Sequence, residues 1–317
     1  MKRFTKITAL MLVVVMVFAG CGQAEYNTKI NSDGSANVVQ TITLEKTAAD
    51  TYVKKNVDGY NDFESYIKDM QVLLKMSGET VNYEKVTKDD GKEYYIVSSS
   101  EKAGSKNLSK SLTNSLGLGE VYATKDTVYA VVSVDDTMTN EDIAEIYGVS
   151  VDELKSFSIA YSFEFPAEVS STTGKIDSAN KKSVTFNLPL NKATTIFATT
   201  NKSNTLAKTK AKVKKLNTVK KTSIKSLKVK SVKKKKGTVT LKLKKVPGVK
   251  YYIEYSTNKK FPYSKTNVKS TKKTTVTIKN LKAGKKYYFR VKAYKNNYAG
   301  LEIYSKAVKK SIKIPKK

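Results

Sequence analysis

Short segments in which apolar and polar residues alternate fill the last third of the chain and restrict that region to β structure. The clearest two are residues 239–243 and residues 287–293. A period of two with polar partners is typical of strands that bury one face. Turn signals at Pro247-Gly248 and Ala283-Gly284 separate such segments. About seven strands in roughly 90 residues predict an all-β sandwich over residues 224–314.

One stretch of this region, residues 281–293 (LKAGKKYYFRVKA), resembles the E–F corner and F strand of fibronectin type III domains. The resemblance extends over the whole predicted sandwich. It implies that Tyr287 is the tyrosine-corner residue, with its hydroxyl bonded back to the preceding loop. Leu243 stands where the family usually has a buried Trp, so we expect a smaller core that Tyr251 and Tyr255 partly fill. The family implies an adhesive or spacer module rather than an enzyme.

Charge divides the chain into two parts of opposite sign. Residues 201–317 hold 38 Lys and Arg side chains and two acids, Glu254 and Glu302, for a formal net charge of +36. Residues 21–200 hold 18 basic and 26 acidic side chains, for a net charge of −8. This asymmetry predicts two modules with different surfaces. The Lys-rich stretch 201–223 lies between them, and its composition favours a solvated linker over a helix.

The N-terminus resembles a bacterial lipoprotein signal. A basic start precedes an apolar run at residues 7–19, which is shorter than a membrane span. The run ends in Phe-Ala-Gly-Cys, and Cys21 is the only cysteine of the chain. The pattern resembles a lipobox, which implies cleavage of residues 1–20 and attachment of lipid, palmitate among its acyl chains, to the Cys21 thiol. The alternative is an ordinary secretion signal with an incidental cysteine.

The same resemblance implies where the protein resides. Two or more acyl chains hold a protein stably to a bilayer, so we expect an anchor on the extracytoplasmic face of the cell membrane. Arg occurs only at Arg3 and Arg290, and this preference for Lys is typical of a low-GC, Gram-positive bacterium. Export also argues against nucleic acid as a partner.

Residues 21–200 are predicted to form an α+β domain, in which a mixed or antiparallel sheet is combined with helices. A hairpin is predicted from segments 25–30 and 36–44 around an Asn-Ser-Asp-Gly-Ser turn. Helical spacing and caps predict helices at 47–57, 61–76 (capped by Asn61), 108–116, 140–147 and 151–155. Further strands are predicted at 80–87, 92–98, 128–134, 157–165, 184–188 and 196–198.

Both ends of this domain resemble the mycobacterial LppM-like lipoprotein domains. The opening segment is YNTKINSDGSANVVQTITL, and the closing segment is FEFPAEVSSTTGKIDSANKKSVTFNL. The resemblance implies a lipid-anchored domain with a mixed sheet and helices, in a family that has been linked to glycolipid binding. It transfers no binding residue to this chain.

The composition excludes several kinds of catalytic and metal site. There is no His, which excludes Ser-His-Asp sites and imidazole ligands, and a single Cys excludes thiolate zinc sites and internal disulfides. The carboxylate clusters Asp89-Asp90, Asp135-Asp136 and Glu141-Asp142 lack EF-hand spacing, so we expect them in turns and helix caps. Catalysis by Lys, Tyr, Ser or paired carboxylates stays open, and we expect no cofactor and no metal.

Three functions are consistent with the sequence. The first is a non-enzymatic, lipid-anchored cell-surface protein whose basic module contacts teichoic acid, anionic lipid or acidic polysaccharide. The predicted contacts are basic side chains on the strand faces, namely Lys228, Lys230, Lys242, Lys244, Arg290 and Lys292. The second is a lipid or glycolipid carrier, with a cavity lined by Phe63, Tyr66, Ile67 and Met70 if these do not simply form the core. The third is an extracytoplasmic enzyme that uses carboxylates, and a merely solvated Lys-rich surface is the alternative to polyanion binding.

Overall fold

A computed structural model describes residues 22–76, 80–132, 139–141, 150–152, 158–189 and 192–316. The chain forms two compact units, Met1–Thr209 and Lys210–Lys317. Within the described ranges, no helix has the length and apolar character needed to cross a membrane. The predicted signal peptide and Cys21 lie outside the described residues.

The first unit combines helices with a mixed sheet and confirms the predicted α+β class. Its elements are β1 (Gly22–Ile30), β2 (Ala36–Glu45), α1 (Lys46–Asn56), α2 (Phe63–Met76), β3 (Val81–Thr87), β4 (Glu93–Ala103), α3 (Leu108–Ser115), β5 (Val121–Thr124), β6 (Thr127–Val132), β7 (Ser158–Glu164), β8 (Ser171–Thr172), β9 (Lys175–Ile176), β10 (Ser183–Leu188) and β11 (Thr194–Thr199). Seven strands form one sheet in the order β3-β4-β2-β1-β7-β10-β9, and β5-β6-β11-β8 form another. β1 and β7 are parallel, whereas the other pairs in the larger sheet are antiparallel.

Alternation along the central strands places one face of the larger sheet in the core. Every second residue of β1 and of β2 is buried, as their sequence pattern predicts. Tyr26 on β1 stacks on Tyr161 of the parallel strand β7, with 4.6 Å between ring centroids. Phe63, the first residue of α2, contacts Tyr95 of β4 at 4.9 Å between centroids. The core of this unit therefore joins the sheet to helix α2.

Helix α2 begins two residues later than predicted. The expected cap was Asn61, but it is Asp62 whose carboxylate accepts a hydrogen bond from the backbone N–H of Ser65 at 2.7 Å. An N-cap side chain bonds to the third helical residue, and starting the helix at Phe63 brings that apolar side chain into the core. The helices predicted at 140–147 and 151–155 fall largely outside the described residues.

The Lys-rich stretch between the modules contains a helix, so the preference for a solvated linker over a helix was wrong. Helix α4 covers Leu206–Leu216. The hydroxyl of Thr205 caps its first turn by accepting from the Lys208 N–H at 3.3 Å. Thr209 and Val213, four residues apart, are buried while the lysines remain largely exposed. Two buried positions one turn apart are too weak a signal to stand out within so many lysines.

The second unit consists of two antiparallel sheets and confirms the predicted sandwich. Its strands are β12 (Ile224–Lys233), β13 (Lys236–Leu243), β14 (Lys250–Ser256), β15 (Asn267–Thr271), β16 (Thr275–Lys282), β17 (Lys286–Asn296), β18 (Glu302–Tyr304) and β19 (Val308–Lys313). One sheet has the order β12-β13-β16, and the other has the order β15-β14-β17-β18, with β19 also paired to β17. The described strands number eight rather than the expected seven. The additional strand arises because the chain after β17 forms two separate strands, β18 and β19, and each pairs with β17.

Tyrosines fill part of the core of this sandwich. Tyr251 is 1% exposed, and its hydroxyl accepts a hydrogen bond from the Val246 N–H at 2.9 Å. Tyr255 stacks on the fully buried ring of Phe289 at 5.9 Å. Leu243 is also buried, where the family usually has a Trp. A buried tyrosine with its hydroxyl satisfied contributes apolar area without leaving an unpaired polar atom.

Candidate anion-binding surface

Tyr287 fixes the loop between β16 and β17 through a backbone contact. Its hydroxyl accepts a hydrogen bond from the N–H of Lys282 at 3.0 Å, and its ring is buried. This contact back to the preceding strand end is the one that defines a tyrosine corner. The N–H of Ala283 in the same loop donates to the carbonyl of Lys235 at 3.0 Å. The β16–β17 loop is therefore attached to the turn between β12 and β13.

That turn adopts a backbone conformation that lysine disfavours. Lys234 and Lys235 are its two central residues, with φ angles of 46° and 59°. A two-residue hairpin with positive φ at both positions strongly prefers Asn-Gly, and the left-handed region costs an L-residue roughly 1–2 kcal/mol. The flanking residues Lys233 and Lys236 are directly opposite each other, and like charges in that arrangement repel. Local preference therefore opposes the four lysines at this turn.

The C-terminal tail is held at the same end of the module. Ile314 is fully buried, and its N–H donates to the carbonyl of Lys285 at 2.9 Å. Gly237 makes room for it, because a Cβ there would lie 2.5 Å from the Cγ2 of Ile314. The N–H of Gly284 in turn donates to the Ile314 carbonyl at 2.9 Å. Hairpin tip, corner loop and tail thus form one backbone-connected end of the sandwich.

Nine exposed lysines gather at this end, which we call the lysine pole: Lys233–Lys236, Lys282, Lys285, Lys286, Lys313 and Lys316. Strand pairing places Lys236 opposite Lys282 and Lys286 opposite Lys313. Neither acid of the module belongs to the pole. The sequence analysis missed this cluster, although four consecutive lysines at 233–236 are a visible signal. Their meeting with the corner loop and tail depends on contacts that the sequence does not display.

The lysines predicted from the strand faces occupy a different part of the module. Lys228 and Lys242 are diagonal neighbours on the outer face of the β12-β13-β16 sheet, and both are exposed. Lys230 lies at a register shift between Val229 and Ser231, also exposed. Lys244 directly follows β13. The structure therefore brings two of the predicted residues together on the outer face of this sheet, and Lys242 lies six residues along β13 from Lys236 of the pole.

Arg290 is engaged within the fold. Its guanidinium binds both carboxylate oxygens of Glu254, with 2.6 Å between Nε and Oε2, and lies 4.6 Å from the ring centroid of Phe261. The hydrogen bond to Glu254 raises the pKa of Arg290 above its ordinary value. A bidentate pair of this kind satisfies the charge on both sides. The charge of Arg290 is therefore balanced by Glu254, so Arg290 is not one of the polyanion contacts that we propose.

Lys292 belongs to a tyrosine cluster on the outer face of the β15-β14-β17-β18 sheet. Its Nζ lies 5.7 Å from the ring centroid of Tyr304, which stacks on Tyr294 at 5.3 Å. The Tyr304 hydroxyl donates to Glu302 at 2.7 Å, and this hydrogen bond raises the pKa of Tyr304 to about 12. Both carboxylates of the module are thus occupied by neighbouring side chains, Glu254 by Arg290 and Glu302 by Tyr304.

The opposite end of the sandwich carries an open cleft of about 510 Å³. It lies beside the last residues of β13 and the start of β16, and its lining includes Lys245, Gly248, Lys272 and Lys273. Lys272 and Lys273 form an adjacent exposed pair. This pair matches Lys234-Lys235 in charge and in chain spacing, but it belongs to the other end of the module.

The first unit uses its acidic turn residues for local structure. Asp90, in the β3–β4 turn, accepts hydrogen bonds from the Tyr94 hydroxyl at 2.6 Å and from the Lys92 N–H at 3.0 Å. Both hydrogen bonds hold the pKa of Asp90 below its ordinary value, and the bond from Tyr94 has the larger effect. Asp135, Asp136 and Asp142 lie outside the described residues. In the remainder, no group of three metal-ligating side chains is found.

The residues considered for a lipid cavity belong to the core. Phe63, Tyr66 and Ile67 are buried within the main apolar cluster of the unit, and Met70 packs against that cluster. Tyr60 contacts Tyr66 edge-on, with 5.3 Å between centroids. This face of α2 therefore forms part of the hydrophobic core, which was the alternative to a lipid cavity in the sequence analysis.

Comparison with known proteins identifies the second unit. Residues 222–309 match the family model of the fibronectin type III domain. No curated protein matches the chain. Similar solved structures include the folded domain of LppM from Mycobacterium tuberculosis, at 14% identity over 57% of this chain and 89% of that one, with a TM-score of 0.32. The fibronectin type III domain of human collagen alpha-1(XX) is 18% identical over 32% of this chain and 88% of that one, with a TM-score of 0.24.

A redesigned β-sandwich protein is similar to the same degree, at 17% identity over 31% of this chain and 92% of that one, with a TM-score of 0.24. The family match covers the described strands from β12 to the first residues of β19. Fold, tyrosine corner and family model agree over these residues. Within the second unit, residues 222–309 therefore match a fibronectin type III domain.

Proposed function

We propose that this protein is a non-enzymatic, lipid-anchored protein of the bacterial cell surface whose basic fibronectin type III domain binds anionic polymers. Fibronectin type III domains typically serve as binding or spacer modules. The lipobox-like segment at Cys21 supports the anchor and an extracytoplasmic location. Wall teichoic acids and acidic polysaccharides are the polymers of the required charge outside such a cell.

One observation carries the proposal: most of the positive charge of the domain has no acidic side chain to balance it. The C-terminal part from residue 201 holds 38 basic side chains and two carboxylates. Those two carboxylates contact Arg290 and Tyr304. The lysines therefore greatly outnumber any internal partner, and their mutual repulsion destabilises the folded domain slightly. A polyanion would supply the missing counter-charge.

The chemistry of the side chains predicts the character of the binding. Lysine contributes a hydrated point charge and three donors rather than the planar fork of arginine. Exposed charges interact over about one Debye length, near 8 Å at physiological salt. Binding should therefore depend on charge density and salt more than on the identity of the polymer repeat.

A titration at two salt concentrations tests this proposal. The full chain with Cys21→Ser, which removes the lipid attachment site, is titrated with poly(glycerol phosphate) at about 0.05 M and about 0.5 M NaCl. We expect clear binding at low salt and at least tenfold weaker binding at high salt. Dextran sulfate and neutral dextran, which share a backbone, form the control pair. Equal binding to the two dextrans, or binding that ignores salt, would contradict the proposal.

Cell fractionation tests the anchor separately. We expect the wild-type protein in the membrane fraction and Cys21→Ser in the soluble extracytoplasmic fraction. Cys21→Ala serves as a second variant, so that the effect is tied to loss of the thiol. If both variants remained in the membrane fraction after a high-salt wash, lipidation at Cys21 would not be what holds the protein there.

A further inference from the structure

We infer that the lysine pole is the principal polyanion-binding site of the fibronectin type III domain and that its ligand is a linear polymer with closely spaced phosphate or carboxylate groups. This inference rests on the proposed function and gives it a location. The lysines of the pole are not among the strand-face lysines that we predicted from the sequence.

The lysines of the pole come from separate parts of the chain that converge at one end of the domain. Three separate chain segments meet at this end, and main-chain hydrogen bonds connect them: Ala283 to Lys235, Gly284 to Ile314, and Ile314 to Lys285. Each segment contributes exposed lysines and no acid. The strand-face lysines, in contrast, alternate with threonines on the β12-β13-β16 sheet. A polyanion therefore meets more positive charge per unit length at the pole than along that face.

The turn between β12 and β13 is locally strained. Lys234 and Lys235 both have positive φ angles, and Lys233 is paired with Lys236. Asn-Gly would fit this turn better, and lysine supplies no hydrogen bond that the turn geometry needs. Unfavourable backbone conformations persist where the surrounding structure holds them, and they cluster at functional sites. The tyrosine corner and the tail provide that support here, through the contacts to Lys235 and Lys285.

The choice of a polymer over a bilayer follows from what surrounds the charges. Proteins that bind at a membrane surface combine basic residues with apolar side chains that enter the acyl boundary. The exposed large apolar side chains described in the domain are Tyr263, Val268, Leu301 and Tyr304, and none of them belongs to the pole. Ile314, the apolar residue at its centre, is fully buried. The pole thus offers charge alone, which suits a hydrated polymer.

The test separates turn strain from binding. Lys234→Asn and Lys235→Gly are combined in the full chain carrying Cys21→Ser, which gives the preferred hairpin sequence and removes two charges. We expect the melting midpoint of the domain to rise by about 4–8 °C, because the turn is relaxed. We expect binding of poly(glycerol phosphate) at low salt to weaken by about five- to tenfold.

The matched control is Lys272→Gln combined with Lys273→Gln, which removes two adjacent charges at the other end of the domain. We expect it to weaken binding by less than about twofold. A second pole variant, Lys313→Gln with Lys316→Gln, leaves the turn unchanged and should weaken binding as much as the turn variant does. This variant tests the site even if the turn variant changes the stability of the fold.

The outcomes distinguish the location from the proposed function. Equal weakening by the pole and control variants would overturn the pole and leave diffuse polyanion binding intact. Salt-dependent binding by the wild type that neither pole variant weakens would overturn the pole as well. A turn variant that melts lower than the wild type would overturn the strain argument. Absence of binding by the wild type would remove the proposed function and the pole together.

Polygalacturonate and lipid vesicles identify the ligand class. The pole variants should weaken binding of polygalacturonate about as much as that of poly(glycerol phosphate), since both carry regularly spaced anions. Vesicles of phosphatidylglycerol and phosphatidylcholine should show little dependence on the pole. Pole-dependent binding to vesicles without pole-dependent binding to either polymer would overturn the choice of a polymer.

Discussion

The two units of this protein use carboxylates in opposite ways. In the first unit, acids at turns and caps bind nearby donors: Asp33 accepts from Ser35, and Asp62 and Asp90 accept from Ser65 and Tyr94. In the second unit, two carboxylates face a large excess of lysines. These carboxylates of the first unit therefore help to build local structure, whereas the basic side chains of the second unit greatly outnumber its two carboxylates. This excess of positive charge is the observation on which the proposed polyanion partner rests.

The largest effect is expected at the one strong ion pair of the second unit. Glu254→Gln keeps the shape of this buried side chain but leaves the half-buried Arg290 guanidinium without its counter-charge. We expect the domain to lose about 2–3 kcal/mol of unfolding free energy. Urea denaturation of the full chain, with hydrogen exchange to follow each unit, measures this loss. Glu302→Gln, at the exposed acid, should cost less than about 1 kcal/mol; equal losses would show that the pair has no special role.

The next effect concerns the tyrosine corner. Tyr287→Phe removes the acceptor of the Lys282 N–H and should destabilise the domain by about 1–2 kcal/mol. The neighbouring Tyr288→Phe is the control, because Tyr288 faces outward from the sandwich. An unchanged melting midpoint for Tyr287→Phe would mean that the corner contact does not stabilise this domain.

A smaller effect, of opposite sign, is expected in the first unit. The Thr28 hydroxyl is buried and has no hydrogen-bond partner in the part of the chain that the structure describes. Thr28→Val keeps the β-branched shape and removes the unpaired hydroxyl, so it should stabilise the unit by about 1 kcal/mol. Thr199→Val is the matched control, since the Thr199 hydroxyl donates to the Asp126 carbonyl at 2.9 Å. Destabilisation by both substitutions would indicate that Thr28 is satisfied in solution.

These comparisons also show which features a single sequence displays. Alternation predicted the central strands β1, β2 and β17 well, because each buries one face. Helix α4 was missed because only two buried positions lie among its lysines. The lysine pole was missed for a different reason: Lys233–Lys236 read as a charge run. The close approach of Ile314 to Gly237 and its main-chain hydrogen bonds to Gly284 and Lys285 bring the tail to that turn.

The smallest effect distinguishes the two units by their response to acid. Hydrogen bonds from the backbone and side chain of Ser65 hold the pKa of Asp62 below its ordinary value, and Ser35 does the same for Asp33. A carboxyl whose pKa is lower in the folded state stabilises the fold above its unfolded pKa, and this contribution disappears as the pH falls through the folded value. The first unit should therefore lose protection from hydrogen exchange below about pH 4.

The second unit has only two carboxylates to protonate, so its protection should change less over the same range. Asp62→Asn provides the control, because the amide oxygen still caps α2 but does not titrate. In this variant the helix should keep its cap and lose part of its acid sensitivity. If the first unit of the wild type stayed as protected at pH 3 as at pH 6 while the second unit opened, the division between structural and unused charge would be reversed. An unchanged acid response in Asp62→Asn would instead assign the sensitivity to the other turn carboxylates, Asp33 and Asp90.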